Sequence, residues 1–296
     1  MVRIVCWNIN RSRDAFLELA EMPDVDVALL QEVGKGAAGA MASTLGEQVA
    51  WNWNRSRMWP AIVRLSDRVR VDLFTPVAPE SDVLPPDTIA VSDSRTLAAA
   101  RVTPLQEGKQ TVEPFFVFSM YARWLYPHPQ AERSPSRQGG HNLYAYTDGS
   151  AHRVISDISA FISHTAPSSH RLLAAGDLNT IYRAADDSRW ENPARARTVF
   201  DRMQVLGLEF LGPQWPDAER RTESLLPGVP KDTRNVPTHV VQGQLRRLRE
   251  HDDVTGYQLD YVFASRGFHD RVRVRAMNDA IGFGTSDHCR IRIDVQ

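Results

Sequence analysis

Residues 2–10 read VRIVCWNIN. The β-branched Val2, Ile4 and Val5 open a run of strand composition that extends through Trp7, and two carboxamides, Asn8 and Asn10, stand at its end. Residues 11–22 follow with helical spacing of Phe16, Leu17 and Ala20, closed by Pro23. Residues 25–31 (VDVALLQ) form a second apolar run of strand length that leads into Glu32. A strand, a short helix and a second buried strand predict an α/β layered arrangement around a buried sheet.

Outward from that unit the chain is rich in short β-prone runs. Residues 61–65, 69–74, 97–102 and 115–120 are separated by Pro, Gly, Ser and Asp clusters. Residues 150–164 carry the clearest amphipathic helix, with Val154, Ile155, Ile158, Phe161 and Ile162 on one face. Residues 172–175 are the next buried strand. Asn192 before Pro193 predicts a capped helix start, Val199, Phe200, Met203 and Leu206 line its face, and Gly207 ends it. Strands are predicted over 258–264, 272–276 and 289–295. Two long loops, at about 123–147 and 214–253, interrupt the pattern, the second with a short helix around 242–250. Buried strands on both sides need each other to complete a sheet, so residues 1–296 are read as one domain.

Composition narrows the function. With 35 Lys+Arg against 36 Asp+Glu, 42% hydrophobic and 24% charged residues, the chain is neither disordered nor fibrous. A formal net charge of -1 excludes a protein that holds nucleic acid by bulk positive charge, while leaving room for a local basic groove. Cys6 and Cys289 are too few for a disulfide framework and form no CxxC zinc motif, so they are expected as core thiols, with a single bridge between them as the alternative. The N-terminus has no secretory pattern, and no window approaches the roughly 18 apolar residues of a membrane span. A cytoplasmic protein without membrane insertion is the expectation; the oligomeric state is not legible.

The chemistry gathers where strands end. Asn8 and Asn10 follow the first strand, Glu32 the second, and Gly176-Asp177-Leu178-Asn179 the strand at 172–175. Asp260 lies within an apolar strand, and Thr285-Ser286-Asp287-His288 precedes the last one. Singly, Asn and Asp at such places are turn formers. A carboxylate in a buried strand, by contrast, needs a partner to offset its desolvation, and a histidine is a suitable one. In layered α/β proteins ligands sit at strand ends, so these clusters are expected to converge on one pocket. Carboxylates and carboxamides without a cysteine cluster suit Mg²⁺ or Mn²⁺ better than zinc. Neither a G-x-S-x-G elbow nor a Walker A sequence is present. Metal-assisted phosphoester hydrolysis is the reading these residues favour.

Six segments, CWNIN at 6–10, LLQEV at 29–33, FSMYAR at 118–123, AGDLN at 175–179, QLDYVFAS at 258–265 and TSDHCRI at 285–291, together resemble the endonuclease/exonuclease/phosphatase superfamily. That family includes DNase I, exonuclease III-type abasic-site endonucleases, inositol polyphosphate 5-phosphatases and neutral sphingomyelinases. The resemblance implies a four-layer α/β sandwich, with two mixed β-sheets packed face to face and helices on the outside. It implies Glu32 as the principal metal ligand, assisted by Asn8, Asn10 and Asp287. Asp177 matches the residue that orients or deprotonates the attacking water. Asn179 and His288 match the groups that hold the scissile phosphate, and Asp260 the carboxylate that orients His288. Tyr121 falls where the abasic-site endonuclease branch has a phosphate-contacting tyrosine.

The substrate is less legible. Arg11 and Arg13 follow the first motif, Arg123, Arg133 and Arg137 follow Tyr121, and Arg246, Arg247 and Arg249 precede Asp260. They read either as phosphate contacts, Arg11 and Arg123 foremost, or as solvated loop arginines. Trp51, Trp53 and Trp59 read as core and edge packing or as a base-stacking platform. The expectation is a divalent-metal-dependent nuclease acting on DNA or RNA. The alternatives are a phosphatase or phosphodiesterase for a small or lipid phosphate, and an inactive binding module.

Overall fold

A computed structural model describes residues 1–34, 58–79, 87–93, 95–106, 108–110, 112–123, 147–162, 170–186, 192–216, 233–241, 246 and 256–296. In chain order the elements are β1 (Val2–Asn8), α1 (Asp14–Ala20), β2 (Val27–Gly34), β3 (Met58–Arg64), β4 (Val69–Leu73), β5 (Thr75–Val77), β6 (Thr88–Ala90), β7 (Leu97–Gln106), β8 (Lys109–Gln110) and β9 (Phe115–Tyr121). There follow α2 (Thr147–Ile162), β10 (Leu172–Asp177), α3 (Pro193–Val205), β11 (Leu208–Gly212), β12 (His239–Val240), β13 (Gly256–Tyr257), β14 (Asp260–Ser265), β15 (Val272–Met277), α4 (Ala280–Phe283) and β16 (Arg290–Val295).

One sheet runs β15-β16-β1-β2-β3 and the other β11-β14-β10-β9-β7-β4, with β8 added against β7. Both are mixed: β1 is parallel to β2, and β10 to β9, while their other neighbours are antiparallel. Period-two alternation builds the layers. From β1, Ile4 and Cys6 face the second sheet, joining Val117, Ala175 and Val262 in the central core. Val5 and Trp7 face the other way, onto Phe16 and Leu19 of α1. On the far side of the second sheet, Phe118, Ala174 and Phe263 pack against Val154, Ile155 and Ile158 of α2 and Val199 and Met203 of α3. The order helix, sheet, sheet, helices is the expected four-layer sandwich.

The local signals hold where they are chemically specific. Asn192 caps α3, its side chain accepting from the amides of Ala194 and Arg195, and Pro193 occupies the first turn. Gly207, at φ 76°, turns the chain out of the helix. Trp59 is fully buried against α1, so packing is its role; Trp51 and Trp53 lie outside the described residues. Cys6 and Cys289 are buried free thiols.

Three expectations change. The helix at 11–22 shortens to α1, because Asn10 and Arg11 take left-handed backbone conformations (φ 42° and 62°) that no helix can continue. The short strand β11, not anticipated, closes one edge of the second sheet against β14. The second long loop is not loop throughout. Asn235, Val236 and Thr238 are buried, and β12 pairs with β13. The helix expected around 242–250 lies outside the described residues apart from the helical, exposed Arg246. No helix among the described residues is long and apolar enough to cross a membrane.

Candidate active site

The inward-facing series of several strands each end in a polar side chain at the same rim of the sandwich. On β1, Ile4 and Cys6 are followed by Asn8. On β10, Leu173 and Ala175 lead to Asp177, and on β14 Asp260 precedes Val262 and Ala264. On β9, Phe115 and Val117 lead through Ser119 to Tyr121. Tyr121, Asp177 and Asp260 are in register on three adjacent strands.

Glu32 reaches this rim by a different route. Simple alternation would place it with Leu30 on the α1 face. Between Leu30 and Val33 the pairing with β3 shifts by one residue, and Glu32 has φ 52°. A bulge of this kind re-aims a side chain. Glu32 Oε1 consequently accepts from Tyr121 Oη at 3.0 Å and from Asn8 Nδ2 at 3.3 Å. Asn8 Nδ2 also donates to Asp177 Oδ2 at 2.9 Å, so one carboxamide ties the two sheets together at the rim. Below it, Gln31 Nε2 donates to Ser119 Oγ at 2.9 Å, a second polar link between the sheets.

Asp177 is held from several sides. Asn179, itself left-handed at φ 46°, donates to it from its backbone (2.8 Å) and its carboxamide (3.1 Å). The tight packing of β10 on β9 needs Gly176, since a Cβ there would run into the carbonyl oxygen of Met120. Burial, together with the charges of Asp260 and Glu32, pushes the Asp177 carboxyl up to about 8 against the pull of His288.

His288 Nδ1 lies 2.9 Å from Asp260 Oδ2, and its Nε2 lies 3.9 Å from Asp177 Oδ2. Thr238 Oγ1 donates to the same Asp260 oxygen at 2.7 Å. Burial opposes a charge on His288, but Asp260, with Asp177 and Asp287, outweighs it and raises the imidazole to about 10. The 285–288 turn is held by Ser286 Oγ donating to Asn8 O (2.6 Å) and by Trp7 Nε1 donating to His288 O (2.9 Å).

All nine expected catalytic and metal-site residues therefore lie at one rim, yet their pairings refine the picture. Asn10 Nδ2 donates to Asp287 Oδ2 at 3.0 Å, so these two form their own pair beside the Glu32 cluster. Tyr121, expected to face phosphate, spends its hydroxyl on Glu32. Arg11 is exposed, and its guanidinium donates to Asn10 Oδ1 at 3.3 Å. Arg123 turns to Asp93 at 3.6 Å. Arg133, Arg137, Arg247 and Arg249 lie outside the described residues.

Sequence reasoning missed Thr238 and His239. Thr238 anchors Asp260, while His239 bridges the backbone of His288, their rings 4.5 Å apart. Thr238 lies just before β12 and His239 within it, a strand of two residues too short to carry a periodic signal, and His239 was one histidine among nine.

A rim of carboxylates and carboxamides around an imidazole held by a buried acid defines a phosphoester-hydrolase class of site. The model of the Endonuclease/Exonuclease/phosphatase family matches residues 5–288, and the chain belongs to that family of metal-dependent phosphoester hydrolases. Among solved structures, a 3′-5′ exonuclease from Neisseria meningitidis is similar at 17% identity and TM-score 0.59, with all of both chains covered. An AP endonuclease from Archaeoglobus fulgidus matches at 16% and 0.58, again over both whole chains. The beta toxin of Staphylococcus aureus matches at 12% and 0.56, also over both whole chains. At these identities the likeness establishes the fold alone. No curated protein sequence matches the chain at a significant level.

Proposed function

We propose that this protein is a divalent-metal-dependent phosphodiesterase that hydrolyses DNA or RNA by in-line attack of water. The observation that carries this reading is the convergence of Asn8, Glu32, Asp177 and the Asp260–His288 pair, drawn from both sheets, on one rim.

The donor set fits Mg²⁺ or Mn²⁺. Glu32, Asp177 and Asn8 offer hard oxygen atoms, and burial, with the charges of Asp260 and Glu32 added to it, raises Asp177, a penalty on its charged form that a nearby cation would relieve. Glu32 would be the main ligand, with Asn8 beside it and the Asn10–Asp287 pair completing the set. When bound, such an ion neutralises phosphate and leaving-oxygen charge.

The chain's own residues supply the rest. Asp177, fixed by Asn8 and Asn179, orients the attacking water and is placed to accept its proton. His288, held as imidazolium by Asp260, presents Nε2 to the scissile phosphate and stabilises the charge that grows there. Asn179, whose carboxamide donates to Asp177 and to Ala122 O, is the second group assigned to hold the phosphate. Tyr121 positions Glu32, and Arg11, the more exposed of the two flanking arginines, is free to swing toward a phosphate backbone.

The near-neutral charge favours a selective hydrolase over one that coats nucleic acid. The test is a Mg²⁺ panel of plasmid DNA, single-stranded RNA, abasic duplex, inositol phosphates and bis-p-nitrophenyl phosphate. Nucleic acid and the model diester are expected to turn over, and Glu32→Ala and His288→Ala to abolish both while the circular dichroism spectrum is unchanged. Turnover of inositol phosphates alone would move the reading to a small-phosphate hydrolase. Retained activity in both variants would overturn the site, and no turnover of any substrate would indicate a binding module.

A further inference from the structure

His239 is the feature of the rim that the hydrolytic reading leaves unused. Its backbone is paired with that of His288, with Val240 N donating to Asp287 O at 2.8 Å and Cys289 N to Thr238 O at 2.7 Å. This ladder fixes the two imidazoles side by side, 4.5 Å between centroids. His239 Nε2 lies 3.9 Å from Asp287 Oδ2, and its Nδ1 is buried with no hydrogen-bond partner among the described residues. Ligand-capable atoms of His239, Asp287 and His288 all fall within 4.8 Å of one another.

We propose that His239, Asp287 and His288 form a nitrogen-rich cation site beside the Glu32 set, with Asp287 common to both, that it takes a borderline transition ion such as Zn²⁺, and that its occupancy inhibits the enzyme. Two imidazoles and one carboxylate are a zinc donor set, whereas Mg²⁺ prefers oxygen ligands throughout. Ligand atoms around zinc sit about 2.0–2.2 Å from the ion, hence roughly 3.4 Å from each other. Small side-chain rotations close the present spacing to that value. His288 is pre-set for the role: its Nδ1 is committed to Asp260, the carboxylate–imidazole arrangement that orients metal-binding histidines and leaves Nε2 for the ion. Asp177 Oδ2, 3.9 Å from that Nε2, or a water takes the fourth position.

Inhibition rests on the reading above, in which His288 Nε2 must face phosphate; binding does not. An ion on Nε2 displaces the proton held there to solvent and so removes that donor, and Zn²⁺ acts against the enzyme at Mg²⁺ concentrations that support the reaction. His239 contributes to the zinc site and not to the Mg²⁺-supported reaction.

The experiment uses untagged, full-length protein and two readouts. Co²⁺ absorption and Zn²⁺ calorimetry in millimolar Mg²⁺ report binding, and bis-p-nitrophenyl phosphate turnover reports inhibition. The wild type is expected to bind one Zn²⁺ and to show the visible bands of four-coordinate Co²⁺. His239→Gln should weaken binding and raise the inhibitory Zn²⁺ concentration by at least about tenfold, with Mg²⁺-only activity retained. His269→Gln, a histidine remote in sequence from these residues, should change neither. Equal Zn²⁺ affinity in wild type and His239→Gln, or no binding in the presence of Mg²⁺, would overturn the site. Zn²⁺ bound through His239 in a protein that turns over no phosphodiester would instead sink the hydrolase reading and leave the site standing.

Discussion

Asp177 and Asp260 stand directly opposite each other on the antiparallel strands β10 and β14, two buried carboxylates in register at the rim of the central core. Like charges so placed oppose folding unless something separates them. His288 does so, gripping Asp260 at 2.9 Å and facing Asp177 at 3.9 Å. The fold thus carries at this rim a charge conflict that a proton or a cation must resolve.

That conflict predicts how stability varies with pH when no metal is bound. Asp177 is raised from 3.8 to about 8, and His288 from 6.5 to about 10, so both bind protons more tightly folded than unfolded. Their contributions are complete below the unfolded values and are lost as pH rises through the folded ones. In chelator, Tm should fall between about pH 7 and 9, and Asp177→Asn should flatten that slope. Millimolar Mg²⁺ should raise Tm more at the alkaline end. Thermal unfolding across this range checks it, and a wild-type Tm that rises with pH would refute it.

Asp260→Asn tests the orienter. An amide keeps the shape but removes the charge that holds His288 as imidazolium. We expect kcat to drop by roughly 10²–10⁴, with a smaller change in KM and a steeper loss above neutral pH. An alkaline limb in the pH–rate profile unchanged from wild type would show that His288 is not the group Asp260 governs.

Gly176→Ala tests the β9–β10 contact. Gly176 sits at φ 153°, and a methyl group there meets the Met120 carbonyl. The two strands must part, moving Asp177 away from Tyr121 and Asn8. A loss of at least about 3 kcal/mol in chemical denaturation is expected. A near-neutral result would mean the strands can separate freely.

Glu18→Ala tests the brace behind the 285–288 turn. One Glu18 oxygen accepts from Thr285 N at 3.0 Å and the other meets Arg290, whose guanidinium lies 4.3 Å from the Trp7 ring centroid. Trp7 in turn holds the His288 carbonyl. Removing the carboxylate should cost about 1–3 kcal/mol in unfolding free energy and lower kcat severalfold. Lost stability with full activity would confine the brace to folding.

Much of the rim was legible because period-two alternation is local geometry. Asn8 continues the Ile4–Cys6 series, Asp177 the Leu173–Ala175 series, and Asp260 opens the Val262–Ala264 series. A polar residue in phase with a core-facing row either ends the strand at a functional rim or leaves a buried group unpaired. Glu32 breaks that logic. Its phase points to α1, and only the bulge against β3 together with its left-handed backbone turns it to Asn8 and Tyr121. Nothing in LLQEV announces the bulge, which arises from pairing with a strand some thirty residues away.

The chain's local order therefore specified the layered α/β class, the strand ends that carry carboxylates and carboxamides, and the capped start of α3, since each follows from neighbours a few residues apart, while the four layers came from the family resemblance of its six motifs. Tertiary structure alone decided that Tyr121 serves Glu32, that Asn10 pairs with Asp287, and that His239 stands beside His288. Those relationships join residues 49 to 277 positions apart: His239 and His288 are the near pair and Asn10 and Asp287 the far one. They exist because long-range pairing within the sheets, and the face-to-face packing of one sheet on the other, bring distant strand ends to a common rim.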